Sequence, residues 1–231
     1  MKLNGLLLLL GIFVSMFSTM NAQTFDSQIE RELPPFTKIK SGSVVEIILV
    51  KGNKSSAKIR AKNVDLAEII TEVKNGELSI SLEKYKLNPK VQIELSVQTI
   101  ESIRLAGAGS LKGADELSGE KLDLAVSGAG NITLDAKYKT IHAMISGAGS
   151  IQLEGEVNRQ EVMISGAGSY KAFDLSSESA EVKISGAGNA NIEVAKELVA
   201  KISGAGNLKY KGDPSTVDVS KTGAGSVKRM E

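Results

Sequence analysis

The stretch that decides the fold is IHAMISGAGSIQL, residues 141–153. Every second residue in it is apolar or glycine, from Ile141 through Ile145, Gly147 and Gly149 to Leu153. Such alternation predicts a strand with one buried face. The parity continues through the Gly-Ala-Gly triplet, so both of its glycines are predicted to face inward and the alanine between them outward.

This triplet recurs along the second half of the chain. Its first glycines stand 18 to 21 residues apart, at Gly107, Gly128, Gly147, Gly166, Gly186, Gly204 and Gly223. A period near 20 residues indicates a repeat architecture in which each unit packs against its neighbours. The sequence therefore predicts an all-β fold, a β-solenoid resembling a β-helix. Each rung has about 19–20 residues and one Gly-Ala-Gly motif, and rungs stack roughly 4.8 Å apart.

One rung is interpreted as a strand, the triplet, a second strand and a polar turn. The predicted turns are residues 135–140, 154–159, 176–179, 196–197 and 212–216. A glycine within a strand costs roughly 0.5–1 kcal/mol relative to alanine. Two glycines in each rung indicate either that two walls of the solenoid approach too closely for a Cβ or that the chain bends at the glycines. Equivalent apolar residues should stack into core columns, one of which breaks at Lys221, as expected of a terminal rung.

The N-terminus predicts export. Residues 1–22 contain one early lysine, a short apolar run and a small residue at Ala22, the pattern of a cleaved signal peptide. A membrane anchor is the competing interpretation, although the run is shorter than the roughly 20 residues that a span needs. The chain has no cysteine, so its stability should depend on its core and its backbone ladder. We expect it in the periplasm, at the outer membrane or on the cell surface.

The predicted mature chain divides into a leader, 23–35, and one β-solenoid domain, 36–227. Within the domain, residues 36–100 show less regular alternation and residues 101–227 carry the triplets. Asn75-Gly76 lies between two alternating runs and predicts a two-residue hairpin turn. A short helical turn is expected within residues 65–70.

Composition argues against several function classes. Without residues 1–22 the chain has 27 basic and 27 acidic residues, which disfavours nucleic-acid binding. A single histidine, His142, and no cysteine disfavour a transition-metal site, and no cofactor is expected. His142 is predicted to be a solvated surface residue, about 13 Å along the strand from Ser146. We expect no enzymatic activity; paired carboxylates such as Glu154 and Glu156 leave a glycan-active solenoid as an alternative.

The serial Ser-Gly-Ala-Gly-[Ser/Asn] units, the stretch Phe36–Ile39 and the strand pair 44–50 and 58–61 resemble the head GIN domain family of auto-transporter adhesins. The resemblance covers about Leu33 to Val227. It implies an all-β, solenoid-like fold in a secreted or cell-envelope protein.

Small uncharged residues flank each triplet and predict an outward ladder that another surface could approach closely. The candidate interaction face consists of Ser146, Ala148, Ser150, Ser165, Ala167, Ser169, Ser185, Ala187 and Asn189. The favoured hypothesis is an exported, non-enzymatic envelope protein that is adhesin-like or self-associating. Its expected partners are a second copy or an envelope or surface polysaccharide or protein. The alternatives are a glycan-binding or glycan-active solenoid and a purely structural periplasmic protein, whose tight bends alone require small residues.

Overall fold

The computed structural model describes residues 25–84 and 87–231, so the predicted signal peptide lies outside the described residues. The described residues form one sheet of eighteen strands and a single 3-10 turn, Leu66–Glu68. The N-terminal strands are β1 Ser27–Glu32, β2 Lys38–Ser41, β3 Glu46–Lys51, β4 Ser56–Lys62, β5 Ile69–Lys74, β6 Glu77–Leu82 and β7 Lys90–Val97. The repeat strands are β8 Ser102–Gly107, β9 Ser110–Gly113, β10 Leu117–Gly128, β11 Asn131–Gly147, β12 Ser150–Gly166, β13 Ser169–Gly186, β14 Asn189–Glu193, β15 Glu197–Gly204, β16 Asn207–Lys211, β17 Thr216–Thr222 and β18 Ser226–Arg229.

Successive rungs pair in parallel and in register, which confirms the predicted β-solenoid. Strand β11 pairs with β12 from Asn131 opposite Ser150 to Gly147 opposite Gly166. The same register links β10 to β11 and β13 to β15. Inward residues therefore stack as columns of like side chains, and Ile145, Ile164 and Ile184 are all buried. Lys221 stands opposite Ile202 and is exposed, at the position where the sequence predicts a terminal rung.

The first glycine of each triplet differs from its predicted inward position. Gly128, Gly147, Gly166 and Gly186 are exposed. Gly147 has a φ of 122°, a conformation that L side chains rarely adopt, and the chain turns at the following alanine. The second glycine is buried as predicted. A Cβ on Gly149 would lie 2.4 Å from Val126 Cγ1 and 2.6 Å from the Gly130 carbonyl oxygen. Both predicted reasons for glycine thus apply in what we call the Gly-Ala-Gly corner: bending acts at the first glycine, and close approach acts at both.

The predicted polar turns are, in the central rungs, continuous strand. Strand β11 runs through residues 135–140, β12 through 154–159 and β13 through 176–179. These stretches also carry inward residues, including Ala136, Tyr138 and Val157. The spacing of buried residues lengthens from two to three at 138–141, 157–160 and 177–180, which marks a second bend. We call this bend the far corner; the parallel ladder continues around it because neighbouring rungs bend together.

Polar side chains are buried inside the far corner. Gln160, fully buried, donates from Nε2 to Ser177 Oγ at 2.8 Å and to the Glu193 carbonyl oxygen at 3.2 Å. The Tyr170 hydroxyl donates to Gln160 Oε1 at 3.1 Å. Burial raises the pKa of the Tyr170 hydroxyl above its ordinary value, so it remains a donor at neutral pH. In strand β11, two rungs before Tyr170, the Tyr138 hydroxyl donates to the Ile100 carbonyl oxygen at 2.8 Å.

The N-terminal half continues the solenoid and closes one end of it. Strands β2 and β3 pair in parallel with β8 and β9, so they form a further rung whose Gly42 lies against Gly107. Strand β4 adds antiparallel to β7 and β1 adds antiparallel to β4, while β5 adds to β6 through the predicted Asn75-Gly76 hairpin. The 3-10 turn lies within the predicted residues 65–70. The stretch expected to be a leader differs from the prediction, because it contains strand β1.

No helix among residues 25–84 and 87–231 is long and apolar enough to cross a bilayer.

Candidate interaction surface

The nine residues of the predicted interaction face form three columns around the Gly-Ala-Gly corner. The serines before the triplets end one sheet face, the alanines occupy the bend, and the residues after the triplets begin the next face. All nine are exposed or half-buried. The first and third columns therefore face different directions, whereas the sequence predicted one outward ladder. The members are Ser146, Ser165 and Ser185; Ala148, Ala167 and Ala187; and Ser150, Ser169 and Asn189.

Backbone hydrogen bonds between rungs hold this corner in a fixed shape. The Ala148 amide donates to the Gly128 carbonyl oxygen at 2.9 Å, and the Ala167 amide donates to Gly147 at the same distance. The Ser150 and Ser169 amides repeat the contact at 3.0 Å to Gly130 and Gly149. The columns are thus displayed on rigid backbone, and their side chains do not need to order on binding.

An open groove of about 540 Å³ lies beside the serine column, on the outer face of the sheet. The Met144 and Met163 side chains lie in it, 47% and 45% exposed, on neighbouring rungs. The same column continues with Lys183 and Lys201. One wall is the hydroxyl column Ser146, Ser165, Ser185, Ser203 and Thr222. The groove therefore combines an apolar floor, a row of hydroxyls and positive charge at one end.

Sequence reasoning placed Met144 outward but did not find the groove. The signal was present, because an outward methionine recurs at the same position of the next rung, Met163. Two large apolar side chains stacked on an exposed face differ from singly scattered ones, which need no explanation. The concavity of this face, in contrast, depends on the curvature of the sheet, which the alternation of polar and apolar residues does not predict.

Ion pairs form a wall on the other side of the two methionines, where they line a second groove of about 330 Å³. His142 lies between two carboxylates, with Nδ1 3.2 Å from Asp123 Oδ1 and Nε2 3.4 Å from Glu161 Oε2. Arg159 reaches Glu161 at 2.7 Å and Glu181 at 3.0 Å. His142 is a surface residue, as predicted, since its side chain is 39% exposed. The methionine column lies between the column that contains His142 and the serine column. His142 and Ser146 therefore lie on opposite sides of Met144 and are not neighbours.

Two charged groups of this wall titrate away from their ordinary values. The hydrogen bond from Lys183, 2.6 Å away, holds the pKa of the Glu181 carboxyl below its usual range, and the charge of Arg159 adds to the effect. The hydrogen bond to Glu161 raises the pKa of the Arg159 guanidinium. Glu181 and Arg159 therefore both remain charged at neutral pH.

The geometry of the corner and of the groove beside it suits contact with another molecule. Among the described residues no group of three or more histidine, cysteine, aspartate or glutamate side chains is placed to hold a metal ion. Within those residues, the Ser146, Ser165 and Ser185 hydroxyls make no hydrogen bond to another protein group, so they are available to a partner. A rigid corner, free hydroxyls and an apolar floor together offer a surface that another molecule can contact along several rungs.

The chain belongs to the family described as "putative auto-transporter adhesin, head GIN domain", whose model matches residues 35–214. The resemblance inferred from the Ser-Gly-Ala-Gly units is thereby confirmed. No curated protein sequence matches the chain.

Solved structures share the fold. A crystal structure described as a putative adhesin from Bacteroides fragilis NCTC 9343 is 24% identical, with a TM-score of 0.78, covering 89% of this chain and 98% of that one. A putative adhesin from Parabacteroides merdae ATCC 43184 is 19% identical, with a TM-score of 0.72, covering 89% and 96%. A structure described as a putative lipid binding protein from Parabacteroides distasonis ATCC 8503 is 20% identical, with a TM-score of 0.68 and coverages of 89% and 96%. At these identities the similarity shows the fold alone.

Proposed function

We propose that this protein is an exported, non-enzymatic envelope or surface module that attaches to a partner through the Gly-Ala-Gly corner and the groove beside it. The observation that carries the proposal is the juxtaposition, over consecutive rungs, of a rigid small-residue corner and a groove with an apolar floor. The family description as an adhesin and the adhesin titles of two similar structures support it. Export rests on the signal peptide predicted at residues 1–22.

The partner most consistent with the corner is an envelope or surface polysaccharide or protein. A hydroxyl column can hydrogen-bond sugar hydroxyls or peptide groups, and the alanine column lets either approach closely. Balanced charge disfavours a polyanion as the general ligand. The small residues have a second explanation, since the bend itself requires them, so the proposal needs a test that separates binding from folding.

Lipid binding is a second candidate, favoured by one observation. Met144 and Met163 expose apolar surface in the groove, and Lys201 at its other end is a cation that suits an anionic headgroup. A structurally similar protein carries the description of lipid binding. Methionine is adaptable and is common at surfaces that accept flexible apolar ligands.

The test compares attachment of wild-type, Ala167→Glu and Met144→Lys proteins to a delipidated envelope fraction and to vesicles of the extracted lipid. Ala167 and Met144 are both exposed, so melting temperatures should change little. If the corner binds, Ala167→Glu loses attachment to the delipidated fraction, because an unpaired charge enters the contact. The matched control is Gln152→Glu, an exposed neutral-to-acid change on the following face.

Each of three outcomes would contradict or replace one part of the proposal. Unchanged attachment of Ala167→Glu overturns the corner as the binding surface. Vesicle binding that Met144→Lys abolishes and Ala167→Glu does not would favour lipid binding instead. Release of reducing ends from envelope polysaccharides by the wild-type protein would overturn the non-enzymatic assignment.

A further inference from the structure

The C-terminal end of the solenoid has an open strand edge. Strand β17 pairs with β15 on one side, and no other described strand pairs with it. All seven of its residues, Thr216–Thr222, are exposed. Val217 and Val219 stand opposite Leu198 and Ala200, which are fully buried, yet they are 46% and 40% exposed. The inward columns thus continue into the last rung, where apolar side chains and unpaired backbone groups remain uncovered.

The other end of the solenoid is fixed by side-chain contacts, although its edge strand β1 pairs with β4 and with no other described strand. Arg31 of β1 donates to the Ile69 carbonyl oxygen at 2.6 Å, to Leu66 at 2.7 Å and to Thr71 Oγ1 at 2.9 Å. Leu66, Val64 and Val73 pack against the core at this end. Outward charges on β1, such as Glu30 and Glu32, further oppose strand addition. The two ends therefore differ in charge: the edge of β1 carries Glu30, Arg31 and Glu32 around Ile29, which is 38% exposed, whereas β17 exposes two valines of the inward columns.

We propose that β17 is the contact through which two copies of this chain associate end to end. An open edge with apolar side chains pairs readily with another strand. A two-fold dimer pairs β17 with itself in the antiparallel direction, and it closes without growing into a filament, because both copies use the same edge for the contact. This inference concerns self-association and uses a different face from the corner proposed above for attachment.

Charge favours one register of this pairing. Residues directly opposite each other in an antiparallel pair lie on the same face of the sheet, so inward residues must meet inward residues. Pairing centred on Asp218 would place two aspartates opposite each other. Pairing centred on Val219 instead places Asp218 opposite Ser220 of the second copy, and Val217 opposite the aliphatic stem of its Lys221. The two copies of Val219 then cover each other, and the stem of Lys221 from each copy covers Val217 of the other.

The absence of cysteine from the sequence allows a clean cross-linking test. Val219→Cys should form a covalent dimer under mild oxidation, because self-paired residues have Cα atoms about 4.5–5.5 Å apart, within disulfide range. Ala167→Cys reports association through the corner. Val44→Cys is the matched control, an exposed valine in the N-terminal rung, 60% exposed and remote from β17. We expect a dimer from Val219→Cys at a concentration where the other two stay monomeric.

Sedimentation of the uncross-linked proteins completes the test. The wild-type protein should sediment as a dimer. Val219→Lys should raise the dimer dissociation constant about tenfold or more, since it buries an unpaired charge, while melting like the wild type at a concentration where both are monomers. A wild-type monomer with no Val219→Cys cross-link overturns the inference. Cross-linking through Ala167→Cys alone also overturns it, and would assign self-association to the corner.

Discussion

The two corners of each rung are built on different principles. The Gly-Ala-Gly corner is fixed by backbone, with the same unusual φ and the same amide-to-carbonyl contact in rung after rung. The far corner is fixed by side chains that differ between rungs: Tyr138, Val157 and Ser177 occupy one inward column there. A corner specified by backbone repeats its sequence strictly, whereas a corner specified by packing can vary as long as its volume and hydrogen bonds are satisfied.

The largest effect is expected from Gly147→Val. A φ of 122° is strained for any residue with a Cβ, and that atom would lie 2.5 Å from the Gly128 carbonyl oxygen. Backbone strain and overpacking should together lower the free energy of unfolding by about 3 kcal/mol or more. Urea denaturation measures this change. Ala148→Val, at the exposed neighbouring position, should be nearly neutral; if both variants melted like wild type, the corner would not be fixed by backbone.

A smaller effect is expected at the far corner from Tyr170→Phe. The change keeps the ring but removes the hydroxyl that donates to Gln160 Oε1, leaving a buried acceptor without that donor. The free energy of unfolding should fall by about 1–3 kcal/mol. Tyr210→Phe is the matched control, because Tyr210 is only half-buried and its hydroxyl makes no hydrogen bond to another described residue. Equal stability of the two variants would mean that the buried network does not stabilise this corner.

The smallest effect concerns pH. Glu181 pairs with Arg159 and Lys183 outside the far corner, and its pKa is lower in the folded protein than the ordinary 4.5. A lowered pKa means that the pairing stabilises the fold above about pH 4.5 and that this stabilisation is lost as the pH falls through the folded value. Since the three side chains are only half-buried, 27% to 49% exposed, the pairs should contribute only about 0.2–1 kcal/mol.

The measurement is the difference in unfolding free energy between wild type and Glu181→Gln from neutral pH down to pH 3. That difference should shrink below about pH 4.5 as the wild-type carboxyl becomes protonated. The triplets contain only glycine and alanine and cannot contribute to it. A difference that is constant across the range would contradict the role of this carboxylate.

The same contrast explains what could be predicted from the sequence. Alternation placed Ile145 and Ile151 inside and Ala148 outside, because a parallel stack enforces one parity on every rung. It failed at the far corner, where Gln160 and Ser177 are polar and inward; a buried polar residue satisfied by distant partners looks like a turn residue in the sequence. It failed also at β1, since charged outward residues surround Ile29 and conceal the strand.

The candidate site likewise has one part that could be predicted from the sequence and one part that could not. The nine small residues were identifiable because they stand at fixed distances from the glycines, and the structure places them at the surface as predicted. The groove was not identifiable, because it arises from sheet curvature and from the neighbouring columns of Met144, Ser146 and His142. The sequence repeat predicts which residues stack in columns, but the shape of a groove between two columns depends on the curvature of the folded sheet.

Because the rungs pair in register, the number of rungs sets the length of this molecule. Residues 148–166 form one 19-residue period between equivalent positions of two rungs, and each end of that period already fits its neighbours. A second copy of the segment inserted after Gly166 would meet the same contacts above and below, and would lengthen the body by about 4.8 Å. The fold is thus a modular spacer, in which the distance between its two ends can change by whole rungs while both ends keep their structure.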